Sequence, residues 1–142
     1  MQVDHVELFV RDRHEAARWY RDVLGLEILD GYQEWADDTR GPLMISSDGG
    51  ATKLALFSGE PQGERPTAGF HLVAFRVDAS GFMAFLDRLP ALRLIDHRGR
   101  EVTRGLAVDH DKAFSLYFSD PWGHRLELTT YEHEVVRASL GS

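Results

Sequence analysis

A chain of 142 residues with 23 acidic against 16 basic side chains carries a formal charge of −7, and its 43% hydrophobic and 27% charged composition is that of a folded globular domain rather than a disordered or collagen-like one. The acidic balance, with its basic residues scattered, excludes a nucleic-acid backbone as the natural partner. There is no basic-then-apolar leader and no apolar run of bilayer length, so neither secretion nor membrane insertion is expected; without cysteine any tight metal site must use imidazole and carboxylate, and the cytoplasm is the expected compartment.

Val6, Leu8 and Val10 alternate with His5, Glu7 and Phe9, which predicts a strand over 3–10 with His5 and Glu7 on one face. Asp12 then caps a helix, with Glu15 in capping-box position and Ala17, Tyr20, Val23 and Leu24 at helical spacing, and Gly25 ends it. Three strands are expected at 26–32, 43–47 and 53–57, separated by Gly31, by Arg40-Gly41-Pro42 and by Asp48-Gly49-Gly50.

After a connector over 59–69, the alternation returns at 70–77, with His71, Val73, Phe75 and Val77 on one face. Asp78 or Ser80 caps a helix carrying Phe82, Phe85, Leu86 and Leu89, and Pro90 is expected to stop it. A hairpin pairing 93–97 with 101–108 around Arg98-Gly99-Arg100 follows, then a strand at 114–119, a turn at Asp120-Pro121-Trp122-Gly123 and a last strand at 125–131. The tail, 133–142, is expected to pack on a neighbour or stay mobile. His14 and His133 read as solvated, His97 and His124 as turn or edge residues.

The order strand, helix, three strands thus occurs twice, giving a first module at 1–58, a linker at 59–69 and a second module at 70–132, one structural domain overall. Superposing the halves lays Asp4-His5-Val6-Glu7-Leu8-Phe9 on Phe70-His71-Leu72-Val73-Ala74-Phe75, and Lys53-Leu54-Ala55-Leu56 on Arg125-Leu126-Glu127-Leu128. His5 then meets His71 and Ala55 meets Glu127. Two histidines at matching places, and a Glu inside the apolar run Leu126-Glu127-Leu128, are more than packing requires, since a buried carboxylate without a partner is costly. His5, His71 and Glu127 are therefore the expected ligands of one divalent cation, Fe2+, Mn2+, Ni2+ or Zn2+, with other coordination positions left open to substrate or water.

Asp4 to Asp12, Trp19 to Leu26 and Tyr117 to Leu128 resemble the vicinal oxygen chelate superfamily, which includes glyoxalase I, extradiol dioxygenases, fosfomycin-modifying enzymes and bleomycin-binding proteins. The resemblance implies an α+β fold of two βαβββ modules forming a curved, half-open mixed β-sheet barrel with helices outside. It also implies metal ligands on the first strand of each module and on the last strand, with Ala55 at a fourth place that some glyoxalases fill with Glu. Activity is then expected on a small substrate chelated through vicinal oxygens, dioxygenase-like or lyase/isomerase-like. The resemblance further implies Tyr117 as the expected hydrogen-bond donor to a substrate oxygen, with His110 as a nearby supporting group and Glu7 as a substitute base. The alternative is an antibiotic-binding or antibiotic-modifying resistance protein of bleomycin or fosfomycin type, to which Trp19, Trp35 and Trp122 suit themselves. A homodimer is expected.

Overall fold

In the computed structural model residues 3–61 and 72–141 are described. The chain divides into two compact units, Met1–Thr67 and Ala68–Ser142. In the first, β1 (His5–Val10), α1 (Arg13–Leu24), β2 (Glu27–Ile28), α2 (Gln33–Asp37), β3 (Leu43–Ser46) and β4 (Lys53–Ser58) build a four-stranded mixed sheet in the order β1-β4-β3-β2. β1 runs parallel to β4, and the remaining pairs are antiparallel.

Local chemistry sets these elements. Asp12 accepts hydrogen bonds from the His14 and Glu15 amides, satisfying N–H groups that the first turn of α1 leaves without partners, and Gly25 closes the helix at φ 72°, a conformation glycine adopts without Cβ strain. Because strand side chains alternate, Leu8, Val10, Leu54, Leu56 and Ile45 fall on one face and are buried, together with Ala16, Ala17, Tyr20 and Val23 of α1. His5, Glu7, Lys53, Ala55, Phe57 and Met44 fall on the other.

The second unit repeats the plan with β5 (Val73–Arg76), α3 (Ala79–Leu92), β6 (Val108–Asp109), β7 (Phe114–Ser119), β8 (Arg125–Thr130) and α4 (His133–Leu140), in the order β5-β8-β7-β6. Asp78 caps α3 by accepting from the Gly81 amide. Phe82 and Phe85 of α3 meet Phe114 and Phe118 of β7 at ring-centroid distances of 6.0 and 5.6 Å, so aromatic packing fixes helix on sheet.

Several expectations are corrected. Pro90 does not stop α3 but lies in its last turn; a proline there forfeits one backbone bond, while burial of Leu89 and Leu94 draws the chain on to Arg93, whose φ of 54° ends the helix. The strand expected at 101–108 is a single bridge at Glu101, a 3-10 turn at Arg104–Leu106 and the two residues of β6. The turn before it is organised by a side chain, since buried Asp96 accepts from the Arg98 and Arg100 amides and from Arg100 Nε. α2 was not anticipated, being only five residues long. The tail forms α4, which packs against α3 and β7 and buries Val136. His124 is buried rather than an edge residue, its Nδ1 2.6 Å from Asp120 Oδ2.

The superposition of the halves also changes over the described residues. Glu7 pairs with Ala55 and Ala74 pairs with Glu127, so Glu7 corresponds to Ala74, not Val73. A period-two pattern reads equally well in either of two adjacent registers until the partner strand is known.

Candidate functional site

The face of the first sheet turned away from α1 forms the floor of a cavity of about 440 Å³, with His5, Glu7, Lys53 and Ala55 on the strands and Tyr32 and Trp35 from the α2 segment. The wall is held by Arg13. This side chain is only 8% exposed and donates from Nη1 to the Gly41 and Asp38 carbonyls at 2.6 and 3.3 Å and from Nη2 to the Ala36 carbonyl at 2.8 Å. A buried guanidinium can thus satisfy three carbonyls of an irregular segment at once. The rings of Tyr32 and Trp35 stand 5.1 Å apart, and Trp35 is 50% exposed.

His5 is oriented by a short polar chain. Lys53 Nζ donates to Asp4 Oδ1 at 2.8 Å and to the Gly50 carbonyl at 2.8 Å, and His5 Nδ1 lies 2.8 Å from Asp4 Oδ2. The Lys53 bond first, and the His5 bond second, hold the Asp4 carboxyl below its usual range, so Asp4 is ionised and can only accept; the ring proton of neutral His5 then sits on Nδ1. Nε2 lies 3.5 Å from Glu7 Oε1. The Asp4 bond, opposed by burial and helped by Glu7, raises the His5 pKa.

On the matching face of the second unit, Glu127 of β8 is flanked by its two cross-strand partners, Tyr117 of β7 and Ala74 of β5. Ser115 Oγ donates to Glu127 Oε1 at 2.7 Å and lies 3.1 Å from Thr129 Oγ1. The Tyr117 hydroxyl is 2.9 Å from His110 Nε2, and burial, then the charge of Glu127, push the Tyr117 pKa up. No basic side chain forms an ion pair with Glu127 among the described residues.

The expected site residues thus fall into two clusters. His5 and Glu7 share the first unit's open face; Glu127, Tyr117 and His110 share the second's. His71 lies outside the described residues, and among those that are described no group of three or more His, Asp or Glu side chains gathers as a cation site. Asp4, Lys53, Arg13 and Ser115 escape a reading of the sequence, because each matters through a contact made between elements distant in the chain; only the Asp4-His5 adjacency carries a local hint. The imidazole of His5 beside Glu7 in the first unit, and the Glu127 carboxylate held by Ser115 in the second, are each of a donor type that suits a divalent ion of intermediate softness.

Residues 2–128 match the model of the Glyoxalase/Bleomycin resistance protein/Dioxygenase superfamily. Among solved structures, the chain is 26% identical to Oxidase ChaP-H2, covering 92% of this chain and 93% of that one at a TM-score of 0.62. A glyoxalase/dioxygenase from Nostoc punctiforme is 21% identical, with 92% and 90% covered and a TM-score of 0.66. A mutant of the fosfomycin resistance protein FosX from Listeria monocytogenes, complexed with Mn(II) and 1S,2S-dihydroxypropylphosphonic acid, is 18% identical, with 96% and 97% covered and a TM-score of 0.64. No match is found among the curated proteins.

Proposed function

The chain belongs to the Glyoxalase/Bleomycin resistance protein/Dioxygenase superfamily, with its glyoxalase-like α+β fold of two four-stranded mixed sheets, and from that premise we propose that it is a metal-dependent enzyme acting on a small molecule through vicinal oxygens, dioxygenase-like or lyase/isomerase-like. His5, His71 and Glu127 are the proposed protein donors to one divalent cation, of the set Fe2+, Mn2+, Ni2+ and Zn2+. The observation that carries the reading is the placing of His5, with Nδ1 2.8 Å from the Asp4 carboxylate and Nε2 3.5 Å from that of Glu7. A hydrogen-bonded carboxylate behind an imidazole is the arrangement that orients and strengthens a metal-binding histidine.

Bound there, a cation supplies Lewis-acid stabilisation of negative charge developing on substrate oxygen. The chain's own groups do the rest. Tyr117 keeps its proton at neutral pH, because burial and Glu127 both raise its pKa, and so can donate a hydrogen bond to a substrate oxygen. His110 lies within reach to steer that hydroxyl, and Glu7 is the carboxylate available as a base. A homodimer acting in the cytoplasm is part of the same reading.

Of the second reading, antibiotic binding or modification of the bleomycin or fosfomycin type, one observation favours the bleomycin branch. The first unit's cavity sets the Tyr32–Trp35 pair beside Glu34 and Asp38, neither of which has a basic partner among the described residues, and aromatic faces with nearby carboxylates attract organic cations. The test is anaerobic incubation of the metal-loaded protein with catechols, hemithioacetals, fosfomycin plus thiol, and bleomycin. A shift of the metal spectrum with catechols or hemithioacetals supports the first reading, and a shift with fosfomycin plus thiol, or quenching of tryptophan fluorescence by bleomycin, supports the second.

A further inference from the structure

The carboxylates of Asp4, Glu7, Glu34 and Asp38 line the first unit's cavity against a single ammonium among the described residues, that of Lys53. Lys53 is itself engaged, donating to Asp4 and to the Gly50 carbonyl, so its charge is already answered within the wall. Arg13, behind the wall, gives its donors to main-chain carbonyls. Glu34 and Asp38 have no basic partner among the described residues; Asp38 Oδ1 accepts from the Arg40 amide. Both line the same cavity as Tyr32 and Trp35, whose rings are tilted by 47° to each other. A cation is drawn to an aromatic face by the ring's quadrupole, and uncompensated carboxylates nearby add to that attraction.

α2 packs on β3, whereas His5 and Glu7 stand on β1, two strands away across β4. The spacing of paired strands puts the two ends of the cavity about 10 Å apart. The floor includes Ala55 and Met44, cross-strand partners in β4 and β3, so it is apolar, and the small Ala55 side chain leaves room above it. From this arrangement we infer that the first unit's cavity takes an aromatic ligand bearing an organic cation, its positive end at Trp35, Tyr32, Glu34 and Asp38 and its ring over Ala55 and Met44. That the same ligand presents vicinal oxygens at the His5 end rests on the proposed function, and the two together describe an aromatic diol with an ammonium arm. The volume of about 440 Å³ lies in the lower half of the range for small-molecule sites and suits a single ring with a short arm.

The test is anaerobic calorimetric titration of the whole protein, with and without Mn(II), using dopamine, 4-ethylcatechol and 3,4-dihydroxyphenylacetate, which share a ring and differ in the charge of the arm. Dopamine should bind about tenfold more tightly than 4-ethylcatechol, with 3,4-dihydroxyphenylacetate weakest. That preference should shrink as salt is raised and largely vanish in the double variant Glu34→Gln, Asp38→Asn. Equal affinities across the series, tightest binding of the anion, binding of none of the three, or an undiminished preference in the folded double variant overturns the inference. Should circular dichroism show the double variant unfolded, the order in wild type decides. A dopamine preference that Mn(II) leaves unchanged, with Mn(II) tightening none of the three, counts against the proposed function and keeps the cationic ligand. Tightening by Mn(II) without a charge preference does the reverse.

Discussion

Where the first unit sets Ala55 beside Met44, the second sets Glu127 beside Tyr117, and where the second has Ala74 the first has Glu7. The helix-facing sides diverge far less: Leu54 and Leu56 of β4 answer to Leu126 and Leu128 of β8, all buried. The same frame has thus been kept where packing against α1 or α3 demands apolar side chains, and changed where the face is open. Dense packing makes a core intolerant of change in volume or polarity, whereas an open face is free to diverge chemically. The polar groups that have survived are distributed, with imidazole and its supporting carboxylate in one unit, carboxylate and phenol in the other.

That contrast can be broken most severely at Tyr117. Tyr117→Phe removes the donor and keeps the ring, so turnover should fall by about 100- to 1,000-fold while thermal stability stays near wild type; an unchanged kcat would assign the hydroxyl a purely structural part. Next comes the support of His5. Asp4→Asn should lower cation affinity roughly 10- to 100-fold, read by titration with Mn(II), because the amide no longer fixes the proton on Nδ1.

The wall of the first unit's cavity sharpens the comparison, since among the described residues the second unit has no equivalent of α2 between β6 and β7. Arg13→Met leaves three carbonyls, those of Ala36, Asp38 and Gly41, without their donor; urea unfolding should show a loss of about 2–4 kcal/mol, with the Trp35 emission shifted red in the native baseline. The smallest effect belongs to Asp48, in the turn between β3 and β4. Bonds from the Thr52 amide, the Ser46 hydroxyl and the Thr52 hydroxyl lower its pKa from 3.8 to about 2. A depressed carboxyl pKa stabilises the fold above the unfolded value, and that contribution disappears as pH falls through the folded one. Asp48→Asn should therefore be slightly less stable than wild type at neutral pH, with the two unfolding curves converging as pH drops from about 4 towards about 2.

Much of this frame was legible in the residues. β1, α1, β7, the Asp120–Gly123 turn and β8 declare themselves through alternation, a capping aspartate and a glycine at positive φ, all of them signals confined to a few neighbours in sequence. The segment from Pro90 to Val108 was not legible, because a buried aspartate, Asp96, shapes its turn through three hydrogen bonds that no periodicity announces. Of the candidate site, His5, Glu127 and Tyr117 stood out as polar groups in apolar strands. The register of β5 did not, since alternation alone fits Val73 or Ala74 on Glu127's side equally well, and only the pairing of Ala74 with Glu127 separates them. Asp4 and Lys53 join His5 through a contact spanning 49 residues, out of reach of any local pattern.

The most direct measurement of the central claim is the metal content of the purified protein by elemental analysis after loading with Mn(II) and exhaustive desalting into substrate-free and catechol-containing buffer, for wild type, His5→Ala and Glu127→Ala. The account predicts retained metal in wild type, more of it when catechol fills the open coordination positions, and background levels in both variants. Metal retained equally by all three proteins, or by none of them in either buffer, would contradict it.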